Sequence, residues 1–138
     1  YEDYLGNLVQ VVALRSTCLR RKVGAIALDE RHRINGVGYN GVPRGFPHCN
    51  EGSPCPGASD KPGDTSRCLA VHAEKNLLLN CGDPKEIVEI VLSASPCRDC
   101  ALMLVNLPKL QKIYYLEEYA DREGLELLRR AKILGKLI

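Results

Sequence analysis

His72-Ala73-Glu74, followed twenty-two residues later by Pro96-Cys97-Arg98-Asp99-Cys100, decides how this 138-residue chain is read. One imidazole and two thiolates make a three-ligand set for zinc. Three protein ligands are what a catalytic zinc takes, with the fourth position open to water. A structural zinc closes with four, and no Cys or His follows Cys100. Glu74, two positions past the histidine, is placed as a proton carrier rather than a ligand. The alternatives are a structural zinc site, or a helix-borne histidine beside two unrelated buried cysteines.

Hydrophobic spacing outward from this pair predicts the frame. Leu5, Leu8, Val9, Val12, Leu14 and Leu19 give residues 4–19 a helical period, ending near Ser16-Thr17-Cys18. Residues 22–28 (KVGAIAL) and 33–39 read as two strands joined by the polar turn 29–32, an antiparallel hairpin. Residues 68–81 read as a helix carrying the first half of the motif, 87–94 as a strand, and Pro96-Cys97 as the start of a helix running to Val105, before Pro108. Strand 113–116, helix 121–133 and a short strand at 136–138 complete the order. One α/β domain over 1–138 is expected, three layers deep, with helices on both faces of a mixed five-stranded sheet.

Between the hairpin and the motif the pattern collapses. Gly41, Pro43, Gly45, Pro47, Gly52, Pro54, Pro56, Gly57, Pro62 and Gly63 punctuate residues 40–66. A structureless loop of that length in a compact domain is functional or disordered. Cys49, Cys55 and His48 within it are possible metal ligands, and Arg44 suits an anion. A planar guanidinium pairs with phosphate through two hydrogen bonds. Arg20, Arg21, Lys22 and Arg67 are further basic candidates for that contact, each with a solvated surface charge as the favoured reading.

A net charge of +2 with no Trp and one Phe fits a small anionic ligand better than a nucleic-acid groove, which needs basic walls and stacking aromatics. No apolar run is long enough to span a bilayer, and no secretory leader is expected. Seven cysteines including a C-x-x-C beside a histidine favour metal binding in a reducing compartment, the cytoplasm, over disulfides.

The H-x-E…P-C-x-x-C pattern is that of zinc-dependent nucleobase deaminases. Cys97 and Cys100, three apart at a helix start, share a side, and the positive end of that helix favours the thiolate form. A zinc ion there would supply water acidified towards neutrality. Glu74 would take the water proton and deliver it to a ring nitrogen, and would then protonate the departing amine with a second, so that ammonia leaves and a carbonyl remains.

Beyond the zinc motif the chain resembles the deoxycytidylate (dCMP) deaminases of the cytidine deaminase superfamily. The resemblance rests on Lys22-Val23-Gly24-Ala25, the stretch Gly38-Tyr39-Asn40-Gly41-Val42-Pro43-Arg44-Gly45, His72-Ala73-Glu74-Lys75-Asn76, Ser95-Pro96-Cys97-Arg98-Asp99-Cys100-Ala101 and the segment holding Tyr119. It implies hydrolysis of dCMP to dUMP, which feeds thymidylate synthesis. Asn40 and the backbone from Gly41 to Gly45 would hold sugar and phosphate, and Arg44, Ala73, Ser95 and Tyr119 would lie against the substrate. It also implies a second, structural zinc on the loop, with Cys18, Cys49, Cys55 and Cys68 as ligands and His48 as a spare; the alternative is four small buried side chains. Cys81 reads as an unligated residue at a helix end. dCTP and dTTP as effectors, acting through the 40–66 loop, and a homo-oligomer, dimer or hexamer, belong to the same implication. The chain departs from the family in carrying Leu77 and Leu78 after the motif, which would crowd the helix packing or reshape the base pocket, and in a short C-terminal end. A cytidine, guanine or riboflavin-pathway deaminase, a tRNA or single-stranded DNA editor, and a zinc-stabilised binding module without catalysis are the competing readings.

Overall fold

In a computed structural model that describes residues 1–52, 54–61 and 64–138, five strands lie side by side in the order β2 (Ile34–Tyr39), β1 (Gly24–Leu28), β3 (Glu89–Leu92), β4 (Lys112–Tyr115) and β5 (Leu134–Leu137). The hairpin is β1 with β2, paired antiparallel. β3 is antiparallel to β1, then β4 and β5 run parallel to it. Helices α3 (Arg98–Leu104) and α4 (Glu123–Arg130) make the two parallel crossovers. Among the described residues no helix is long and apolar enough to cross a membrane.

Alternation along the strands splits the core into two layers. Ala25, Ala27, Ile90, Leu92, Ile113 and Tyr115 face α3, α4 and α2 (Ala73–Asn80). Ile26, Leu28, Val91 and Tyr114 face α1 (Glu2–Ala13), whose Leu5 and Val9 are fully buried. Each such side chain contributes about 1.5–3 kcal/mol relative to exposure. All five residues of β1 are buried, which explains its unbroken apolar run. The α/β class, the mixed five-stranded sheet and the helices on both faces match expectation.

Most boundaries fall within two or three residues of expectation, strand 87–94 shortening to Glu89–Leu92, helix 121–133 to Glu123–Arg130 and the last strand shifting to Leu134–Leu137, but two differ by more. The first helix stops at Ala13, not near Ser16, because Ser16 Oγ donates to the carbonyl of Asn40 (2.8 Å) and turns the chain towards the loop. The motif helix begins at Ala73, not residue 68. Residues ahead of it run extended, and Val71 exchanges both backbone hydrogen bonds with Gly41 in an isolated bridge. Pro62 and Gly63, read above as part of the loop, lie outside the described residues.

α2 sits unusually close to the sheet. A Cβ on Gly38 of β2 would lie 2.3 Å from the Leu77 nitrogen and 2.4 Å from the Ala73 carbonyl oxygen. Only glycine admits that approach, and it places the first turn of α2 over the end of the sheet. Leu77 is fully buried in the core beneath it. Its effect is therefore on helix packing and not on a ligand pocket.

Candidate active site

Two helix N-termini converge here. His72 is the extended residue preceding α2, and Cys97 caps α3, its sulfur accepting from the Cys100 N–H at 3.5 Å. His72 Nδ1 lies 3.5 Å from Cys97 Sγ and 3.4 Å from Cys100 Sγ. The three ligand atoms fall within 4.8 Å of one another, which no other trio of such groups achieves among the described residues. Zinc–nitrogen and zinc–sulfur bonds of standard length at a tetrahedral angle put N and S about 3.6 Å apart. The spacing therefore suits a tetrahedral ion, and a soft-ligand set of two thiolates and an imidazole suits zinc.

One of the two sulfurs is anionic before any ion arrives. Hydrogen bonding from the Cys100 thiol, and then from His72, holds Cys97 at a pKa of about 4, so it is a thiolate at neutral pH. Cys100 is pushed up, first by giving that bond and then by burial. Cys97 in turn raises His72. Glu74 is 4% exposed in the first turn of α2 and touches the Cys100 sulfur, and burial lifts its carboxyl above the usual carboxylate range. A raised carboxyl beside a metal corner is what an acid–base shuttle needs.

A cavity of about 440 Å³ opens over this corner. His72, Ala73, Glu74 and Cys97 line it, together with the expected Asn40, Ser95 and Tyr119. Asn40 is 8% exposed; its Oδ1 accepts from Val23 N (2.8 Å) and its Nδ2 donates to Arg21 O (2.7 Å). Ser95 Oγ accepts from Tyr119 N at 2.7 Å and fixes the segment after β4. Gly41 stands behind the wall through its bridge to Val71, while Arg44 is exposed and is not part of the wall. Substituting Asn40→Asp removes the donor to Arg21 O and buries a charge. We expect a loss of about 2 kcal/mol with zinc content unchanged, read from thermal melts and metal analysis.

The wall also holds Arg20, Arg21, Asp60 and Thr65. The arginine pair has the look of a solvated basic run, and only the fold turns it inward. Arg20 donates to the carbonyls of Gly57, Lys61 and Asp64, tying the loop to the entrance of β1. Arg67 is bonded to Asp60.

The four remaining loop-side cysteines gather without closing. Cys55 N donates to Cys49 Sγ at 3.4 Å, the Cys55 thiol is hydrogen-bonded with those of Cys49 and Cys68, and Cys18 acts on Cys49 only through charge. Thr17 Oγ1 meets His48 Nδ1 at 3.2 Å. No three of these ligand atoms come within 4.8 Å of each other. Burial pushes Cys49 up, and a hydrogen bond from the Leu69 backbone draws Cys55 down. Cys81 lies apart, its thiol near the Leu78 carbonyl at 3.4 Å.

A mixed sheet sets two helix N-termini side by side and brings a His/Cys/Cys corner and a buried carboxylate to one cavity, the layout of a zinc-binding fold. The chain belongs to the cytidine and deoxycytidylate deaminase family: the profile of that family's zinc-binding region matches residues 2–117. It is similar to the deoxycytidylate deaminase of Mycobacterium phage D29, with 34% identity over 86% of this chain and 95% of the phage protein. With that of Schizosaccharomyces pombe it shares 31% identity over 96% of this chain but spans only 42% of the yeast protein. The dCMP deaminase of cyanophage S-TIM5, solved in complex with dCMP and dUMP, superposes with a TM-score of 0.76 at 27% identity, over 99% of this chain and 95% of that one.

Proposed function

We propose that this chain hydrolyses dCMP to dUMP and ammonia as a single catalytic domain over residues 1–138, supplying dUMP for thymidylate synthesis. The observation that carries the reading is the His72/Cys97/Cys100 corner facing the buried Glu74 carboxylate. His72, Cys97 and Cys100 would hold the zinc, which when bound would supply a water acidified towards neutrality. Glu74 would accept one proton from the attacking water and deliver it to the ring nitrogen, then take the second proton from the hydroxyl now on the ring carbon and hand it to the leaving amine, so that the C–N bond breaks, ammonia departs and a carbonyl remains. Burial keeps its carboxyl ready to do both. Asn40, Ala73, Ser95 and Tyr119 orient the nucleotide, Gly41 supports them from behind, and Arg44 offers a further cation from the loop. The dCMP-bound cyanophage relative supports this choice of substrate.

A second zinc on Cys18, Cys49, Cys55 and Cys68, with His48 as a spare, would pin the loop, as structural zincs pin segments with little core of their own. Two zinc ions per chain are expected in metal analysis, and one would overturn this part. dCTP and dTTP act on the 40–66 loop as effectors of a homo-oligomer, dimer or hexamer, in the reducing cytoplasm that seven free cysteines suit.

The test is a substrate panel of dCMP, CMP, deoxycytidine and dCTP, with and without added dCTP and dTTP, followed by cytosine absorbance and ammonia release. dCMP turned over fastest is the expected result. Preference for cytidine or guanine would reassign the chain within the superfamily, and no release of ammonia from any of these would leave a metal-binding module.

A further inference from the structure

We propose that Arg21 reads the phosphate of the substrate and is the residue by which this cavity separates a nucleotide from its nucleoside; this rests on the dCMP reading above. Among the described residues Arg20 and Arg21 are the only cationic side chains other than His72 on the cavity wall. Arg20 is committed, its two terminal nitrogens donating to three loop carbonyls, those of Gly57, Lys61 and Asp64. Arg21 is not. Its Nη2 donates to Glu117 Oε1 at 2.7 Å, and its Nε and Nη1 make no hydrogen bond among the described residues.

The guanidinium is already held in one orientation. It lies over the Tyr119 ring, 5.4 Å from the centroid, and Tyr119 is itself fixed by the bond from its N–H to Ser95 Oγ. Cation–π stacking and one ion pair restrict the fork before a ligand arrives, so less rotamer freedom is lost on binding. Glu117 faces solvent, its side chain 64% exposed, whereas Arg21 is 36% exposed and borders the cavity. A phosphate monoester can therefore meet the edge of the fork that Glu117 leaves open, the second Nη2 hydrogen acting together with Nη1 or with Nε, in the two-pronged geometry that guanidinium favours and without displacing Glu117. The Asn40 amide sits directly behind, clasping the Arg21 carbonyl, so the same side chain that lines the cavity also fixes the backbone from which Arg21 projects.

The experiment measures kcat/KM for dCMP and for deoxycytidine in the zinc-loaded wild type, R21Q, R21K and R44Q, with zinc content and melting temperature recorded for each. R21Q is expected to lower the dCMP-to-deoxycytidine ratio by about 50-fold, mainly through KM for dCMP. R21K, which keeps the charge and loses the fork, should fall between. A ratio in R21Q within about threefold of wild type, or a collapse seen in R44Q instead, overturns the assignment to Arg21. A wild type inactive on both compounds would sink the deaminase reading itself, a result distinct from either.

Discussion

Glu74→Gln should reduce turnover by about 10⁴-fold while zinc content stays at the wild-type level. The amide keeps the size of the side chain and cannot cycle a proton between water, ring and amine. The three side chains that could hold the ion do not include residue 74, so the corner keeps its donors. Stability moves the other way. Burial raises the carboxyl's pKa in the folded protein above its unfolded value, so the folded state prefers the protonated form. Below the ordinary carboxylate pKa both states are protonated and the group is neutral in its effect. As pH rises above that value the buried charge costs stability. E74Q should therefore melt no lower than wild type at pH 7, with its advantage shrinking as pH falls towards 4. Turnover within tenfold of wild type would remove Glu74 from the chemistry, whatever the melting curves show.

Gly38→Ala should be the most damaging of the structural substitutions, although it lies on a strand and touches no ligand. The added methyl would stand 2.3 Å from one backbone atom of α2 and 2.4 Å from another, and backbone cannot swing aside as a long side chain can. The helix must lift, and with it His72, which immediately precedes it. We expect a loss of about 3 kcal/mol or more together with weakened zinc retention, measured by denaturant unfolding and metal analysis on the soluble fraction. Gly124→Ala makes the same test from the other side, since its methyl would stand 2.0 Å from the Pro96 carbonyl oxygen and push α4 against the turn that carries Cys97. If either variant keeps full stability and full metal content, close backbone approach is not what aligns the two helix starts.

The metal corner was legible because its chemistry is local: three soft donors and a carboxylate at fixed spacing announce themselves whatever the rest of the chain does. The strands were legible too, since Ala25, Ile26, Ala27 and Leu28 alternate between two buried faces and read as a continuous apolar run. What stayed hidden depends on partners distant in sequence. Residues 68–72 have helical composition, yet Val71 gives both backbone groups to Gly41, thirty positions earlier. Ser16 ends the first helix through a bond to Asn40. Arg20 and Arg21 are indistinguishable from solvated charges until the carbonyls of Gly57, Lys61 and Asp64 and the Tyr119 ring are brought beside them. Arg44 shows the converse, a cation in a promising phrase of sequence that the fold leaves at the surface.

The cavity is built from two kinds of material. Its base comes from residues seated at the rim of the sheet, where helices are locked down by packed backbone, and its upper side from a long polar connection fastened at a few points, Arg20 chief among them. Such a division lets the two parts drift at different speeds. Insertions, deletions or new side chains in the connection can alter which ring or sugar is admitted while the proton-transfer machinery below stays in place, so one reaction can be handed to many substrates without reinventing its centre.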